Sequence, residues 1–181
     1  MEIEQAQADV RRVYRGGALG PLVSAVVWGI ASAVFQWASP TAAMAVLFFG
    51  GMLIFPLASI GLKLAGGPGA LPKGHPSIGL AMQSAFTVPI GLLLALALGS
   101  VDVRLFFPAA AIIVGAHYLT FISLYGMREY AVLAAVLVGL GTSALFLMPA
   151  AGGYVGWACT AVFVAAGPLL HRAGMRTEPR P

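Results

Sequence analysis

Charged side chains are what this sequence has least of: 9% of its residues, against about 25% in a soluble domain. With 60% hydrophobic residues and a mean hydropathy of +0.92, it has too little polar surface to cover a water-facing globule. Thiols are scarcer still. The single cysteine, Cys159, excludes an internal disulfide and a thiolate metal cluster. The six acids, Glu2, Glu4, Asp9, Asp102, Glu129 and Glu178, all fall in termini or connections. Paired carboxylates, a glycine-rich phosphate loop, a nucleophile elbow and an HExxH pair are all missing. Hydrolysis and phosphoryl transfer therefore have no visible machinery, no catalytic residue is assigned, and no motif names a cofactor.

What is there is a set of long apolar runs. Six are separated by turn residues and charges: Leu19–Trp37, then 41–64, 78–99, 105–125, 131–148 and 154–170. Each approximates the roughly 17–25 residues that a helix needs to cross a bilayer core. Lipid offers backbone groups no partner, so each run must satisfy its own as a helix, and no run shows the period-two alternation of a membrane strand. The expected fold is an all-α polytopic membrane protein with six transmembrane helices. It divides into a cytoplasmic amphipathic segment at 1–17, the membrane domain at 18–171 and a cytoplasmic tail at 172–181.

The basic residues set the expected orientation. With both termini cytoplasmic, Arg11, Arg12, Arg15, Lys63, Lys73, Arg128, Arg172, Arg176 and Arg180 lie inside and only Arg104 outside, as the positive-inside rule prefers. The net charge of +4 is thus a topology signal and no nucleic-acid patch. Tyr14, Tyr125 and Tyr130 are expected at the inner headgroup boundary, and Trp37, Tyr154 and Trp157 at the outer one. The stretch "RRVYRGGALGPLVSAVVWGIASA" also resembles a cleavable signal, but the acids before it and its continuation to Trp37 favour a retained first span. Ahead of it, Ile3, Ala6, Val10, Val13 and Tyr14 share a helical face. That segment reads as a short helix on the cytoplasmic surface or as a frayed tail.

Connections at 38–40, 126–130 and 150–153 are short enough to be tight hairpins. Only "KLAGGPGALPKGHPS" is a true loop, a lid over a cytoplasmic opening or a plain linker. Within the spans, Gly50 and Gly51 followed by Pro56 weaken the second helix and suggest a break of the kind that marks transporter sites. In the third span every fourth residue, Gly79, Gln83, Thr87, Gly91, Ala95 and Gly99, is small or polar, so that Gln83 and Thr87 line a cavity or pack against a neighbouring helix. His117 is the one ionisable side chain deep in a span, on a face with Thr120. It is expected to point between helices with a hydrogen-bond partner, either as a functional group or as a neutral structural imidazole. His75 and His171 lie at another depth, which argues against a metal site. The candidate cavity-lining residues are therefore His117, Thr120, Gln83, Thr87, Gly50 and Gly51.

The phrases "FFGGMLIFPL" and "FFPAAAIIVGAHYLTFISLYGM", with the six-span layout, resemble a bacterial family of small integral membrane proteins of unknown function. The resemblance implies a multi-pass protein of the bacterial plasma (inner) membrane and supplies no activity. Three readings follow: a small-solute carrier or channel-like protein; a non-transporting membrane partner or assembly subunit; or, less favoured, a membrane enzyme acting on a lipid or quinone. The partners implied are the lipid bilayer and a second copy or another membrane protein.

Overall fold

A computed structural model describes residues 2–176 of the chain. Among them all regular structure is helical: α1 (Ile3–Tyr14), α2 (Leu19–Trp37), α3 (Pro40–Leu64), α4 (Ser77–Val101), α5 (Phe106–Tyr125), α6 (Glu129–Phe146) and α7 (Val155–Arg176). The last six are each long and apolar enough to cross a membrane. Their boundaries follow local chemistry. Ser39 caps α3 by accepting from the Ala42 N–H, and Pro40 occupies its first turn. Gly126 ends α5 in the left-handed conformation, at φ 65°. The final helix runs past the expected end of its span to Arg176, so most of the basic tail prolongs α7; Arg180 lies outside the described residues.

Successive helices α2 and α3, α4 and α5, and α5 and α6 pack as neighbours, and α7 closes back on α2. The α5–α6 pair is the tightest. A side chain at Gly115 would meet the Val138 backbone N at 2.9 Å, and one at Gly141 would strike the Pro108 carbonyl, so both glycines hold these backbones close. By contrast α3 and α4 touch little and are the least buried of the six. Neither is broken. Helix α3 continues through Gly50, Gly51 and Pro56, and α4 through Pro89, so the expected discontinuity in the second span does not occur.

Helix α1 and the last turns of α7 gather at one end of the bundle. Helix α1 forms, but Ala6, Val10 and Val13 bury against the bundle, and of its apolar face only Ile3 remains exposed. Gln7 Nε2 donates to the Ser123 carbonyl (2.8 Å) and Arg11 Nη1 to that of Tyr125 (2.5 Å), which satisfies carbonyls at the end of α5. Arg15, Gly16 and Gly17 then take φ of 51°, 68° and 79° and turn the chain sharply into α2. The 65–76 loop is tied to the same helix: Arg15 Nη2 donates to the Ala65 carbonyl (2.7 Å), Leu71 packs on the core, and buried His75 places Nε2 3.7 Å from Asp9. At the opposite end, Arg104 pairs with Asp102 at 2.6 Å and Trp37 packs on Trp157. Asp102 is held below the usual carboxylate range by the Arg104 side chain and then by its N–H.

At this end of the bundle two of the tyrosines turn inward. Tyr125 and Tyr130 are buried in the bundle, where Tyr130 donates to the Gly16 carbonyl (2.9 Å). With Tyr118 and Phe121 they form a continuous ring cluster that runs on through Phe163 to Trp28. Their hydroxyls and faces find partners inside the protein, so the headgroup region is not needed to satisfy them.

Candidate functional site: an apolar cavity beside His117

The loose contact between α3 and α4 leaves a cavity of about 440 Å³, within the range of small-molecule sites. Trp28 and Ser24 of α2 and Tyr118 and Phe121 of α5 form its inner wall. Met52, Phe55 and Pro56 of α3 face Met82, Phe86 and Pro89 of α4 across its mouth. Met52, Phe55, Met82 and Phe86 are each also more than 45% exposed on the outer surface, so the cavity opens sideways between these two helices. At the terminal end it is bounded by Tyr14 and Ser59. Burial raises the Tyr14 phenol above its ordinary range, offset in part by a backbone hydrogen bond at Leu71.

His117 is a wall residue of this cavity. Its Nδ1 lies 2.9 Å from the Ser84 carbonyl and 2.8 Å from the Ser84 hydroxyl, so α4 and α5 are joined through the imidazole as expected. A carbonyl only accepts, so Nδ1 carries the proton and Nε2 is left as an acceptor. Phe121 and Tyr118 pack on the ring edge-on, at 4.6 and 5.5 Å between centroids. The arrangement offers an occupant one hydrogen-bond acceptor in an apolar setting, with the Ser24 and Ser59 hydroxyls elsewhere on the wall. A polar group that meets Nε2 must donate, as a hydroxyl or a water does.

Of the residues singled out in the sequence, His117 and Gly51 line the cavity. Thr120, Gln83, Thr87 and Gly50 are not among its lining residues. A side chain at Gly50 would meet Val27 of α2 at 2.8 Å. Gln83 and Thr87 lie on the exposed outer surface of α4, with the Thr87 hydroxyl donating to the Gln83 carbonyl. The stripe failed for a geometric reason. At about 100° per residue, each step of four turns about 40° further, so 79 and 99 end on nearly opposite faces. Ser84, one residue from Gln83, is the group that faces inward. Trp28 and Tyr118, both on the wall, gave no signal because they stand in apolar runs like any core residue.

Six membrane-length helices around a laterally open apolar cavity define a small multi-pass membrane protein. The chain belongs to the family of unknown function DUF7010, whose model matches residues 3–171. No curated protein and no solved structure matches it.

Proposed function

We propose that the protein is a carrier for a lipophilic, hydroxyl-bearing molecule that enters the 440 Å³ cavity from the bilayer between α3 and α4. Both termini face the cytoplasm of a bacterial cell in this reading, on the strength of the basic residues and the family resemblance. The observation that carries it is the pairing of an apolar, sideways-opening cavity with the lone span-embedded histidine, whose free acceptor is Nε2. Bilayer tails are as apolar as the cavity wall, so hydrophobic transfer gives an occupant little advantage over lipid. Selection then rests on shape and on the hydrogen bond at His117. An ion or a sugar would lose its hydration in such a lining without replacement, which narrows the carrier reading to apolar solutes.

Trp28 supplies the test, being 1% exposed and on the cavity wall. Replacing the other two tryptophans (Trp37→Phe, Trp157→Phe) leaves it as the sole indole. In vesicles whose acyl chains carry bromine near their middle, Trp28 emission is expected to be quenched. Ala81→Phe, which puts a ring into the cavity, is expected to restore it. A Trp28 that brominated chains leave bright would overturn the reading and favour a non-transporting membrane partner.

A further inference from the structure

A second recess, of about 150 Å³, lies apart from the cavity at the terminal end, between α1 with its following turn and the last turns of α7. Arg11, Arg12 and Arg15 line it from one side and His171 from the other, with Gly16 and Gly174 between them. A side chain on Gly174 would meet the Gly16 Cα at 2.8 Å, so the two backbones close up here and form a floor. No carboxylate lines it among the described residues. Each guanidinium is steadied at one arm: Arg11 Nη1 by the Tyr125 carbonyl, Arg12 Nη2 by Asp9 Oδ1 (2.6 Å) and Arg15 Nη2 by the Ala65 carbonyl. Arg11 Nε is buried and has no hydrogen-bond partner among the described residues.

Basic residues gather near membrane surfaces and at helix C-termini for general reasons. Neither reason requires three of them to converge with an imidazole on one glycine-floored hollow. Asp9 answers Arg12 alone of the three arginines, and the remaining like charges repel unless a further anion joins them. Guanidinium forks with arms to spare match the oxygens of a phosphate bidentately, and several forks around one hollow suit its multiple oxygens and higher charge better than a single carboxylate's. We propose that this recess binds a phosphate group, carried by a phospholipid head or by a soluble phosphate. It is independent of the carrier reading: either holds if the other fails.

The test uses the full chain in an uncharged maltoside detergent, titrated separately with dioctanoyl phosphatidylglycerol, glycerol 3-phosphate and inorganic phosphate, with thermal unfolding as the readout. Saturable stabilisation is expected. If only the lipid gives it, the source is a headgroup; if the soluble phosphates suffice, the source is a free phosphate. Arg12→Gln removes a charge-assisted hydrogen bond and is expected to weaken binding about tenfold. Arg128→Gln, an exposed base outside the recess, is expected to leave it unchanged. Should Arg12→Gln fail to fold, His171→Gln serves, since the imidazole hydrogen-bonds no backbone group among the described residues and its loss is expected to weaken binding in the same direction. Absence of saturation by all three probes, or equal weakening by Arg128→Gln, overturns the proposal.

Discussion

Two glycines on α4 that the sequence places in one stripe are expected to respond to alanine with opposite signs. A Cβ at Gly91 would lie 2.5 Å from Ile113 Cγ2 and 3.4 Å from Cγ1, whereas one at Gly79 meets nothing within 4 Å. Alanine in a helix gains about 0.5–1 kcal/mol over glycine at either site. At Gly91 that gain is opposed by overpacking of about 1–3 kcal/mol, because Ile113 is β-branched, stiff at χ1 and held on α5. Gly79→Ala should therefore stabilise by about 0.5–1 kcal/mol and Gly91→Ala should destabilise by up to about 2.5 kcal/mol. Subtracting one from the other cancels the propensity term and leaves the overpacking alone. The assay is reversible unfolding in mixed micelles by titration with a denaturing detergent. Adding Ile113→Ala to Gly91→Ala removes the clashing methyl, so the double variant should be more stable than the sum of the two singles predicts. Equal effects at Gly79 and Gly91, or strict additivity with Ile113→Ala, would refute the packing of α4 on α5 described above.

Three further outcomes are expected. Tyr130→Phe strips the buried Gly16 carbonyl of its donor and should cost about 1–3 kcal/mol in the same assay; an unchanged midpoint would mean that the carbonyl finds another partner. Reporter fusions in the connections at Ser39 and Gly152 should report one side of the membrane and a fusion at Gly69 the other, the latter cytoplasmic; a cytoplasmic signal from Ser39 would reverse the proposed orientation. Asp102, whose folded pKa is lowered by Arg104, contributes stability that is present above its unfolded pKa and lost as pH falls through the folded value. Arg104→Gln should move the Asp102 titration back up toward 3.8, measured by carboxyl carbon chemical shift, and an unmoved titration would deny the pairing.

The helix ends were legible because punctuation marks them: Ser39 and Pro40, Gly126, and Pro149 sit where the apolar runs stop. The inward faces were not. These spans are apolar all round, so no amphipathic stripe tells the protein side from the lipid side. Small residues were the remaining guide, and a guide of period four drifts away from a helix of period 3.6. It served near Gly91, Ala95 and Gly99 and misled at Gln83 and Thr87. His117 stood out because an imidazole in a span must find a partner; that the partner is Ser84 depended on how α4 is rotated against α5, which the sequence does not state. That Tyr125 and Tyr130 turn inward was likewise hidden, because their partners, the Gly16 carbonyl and each other's rings, come together only in the fold.

The docking of α1 on α5 also bears on the order of assembly. Gln7 meets Ser123, and Arg11 meets Tyr125, across 116 and 114 positions of chain, and Gly16 waits equally long for Tyr130. Synthesis delivers α1 before α5 and α6, so these contacts wait until the fourth membrane span has been inserted and the fifth begun. Until then the amphipathic helix lacks its partners on α5, and loop closure over so long a span comes late. The docking of α1 therefore waits on spans that follow it in the chain, and it joins the turn at Arg15, Gly16 and Gly17 to them.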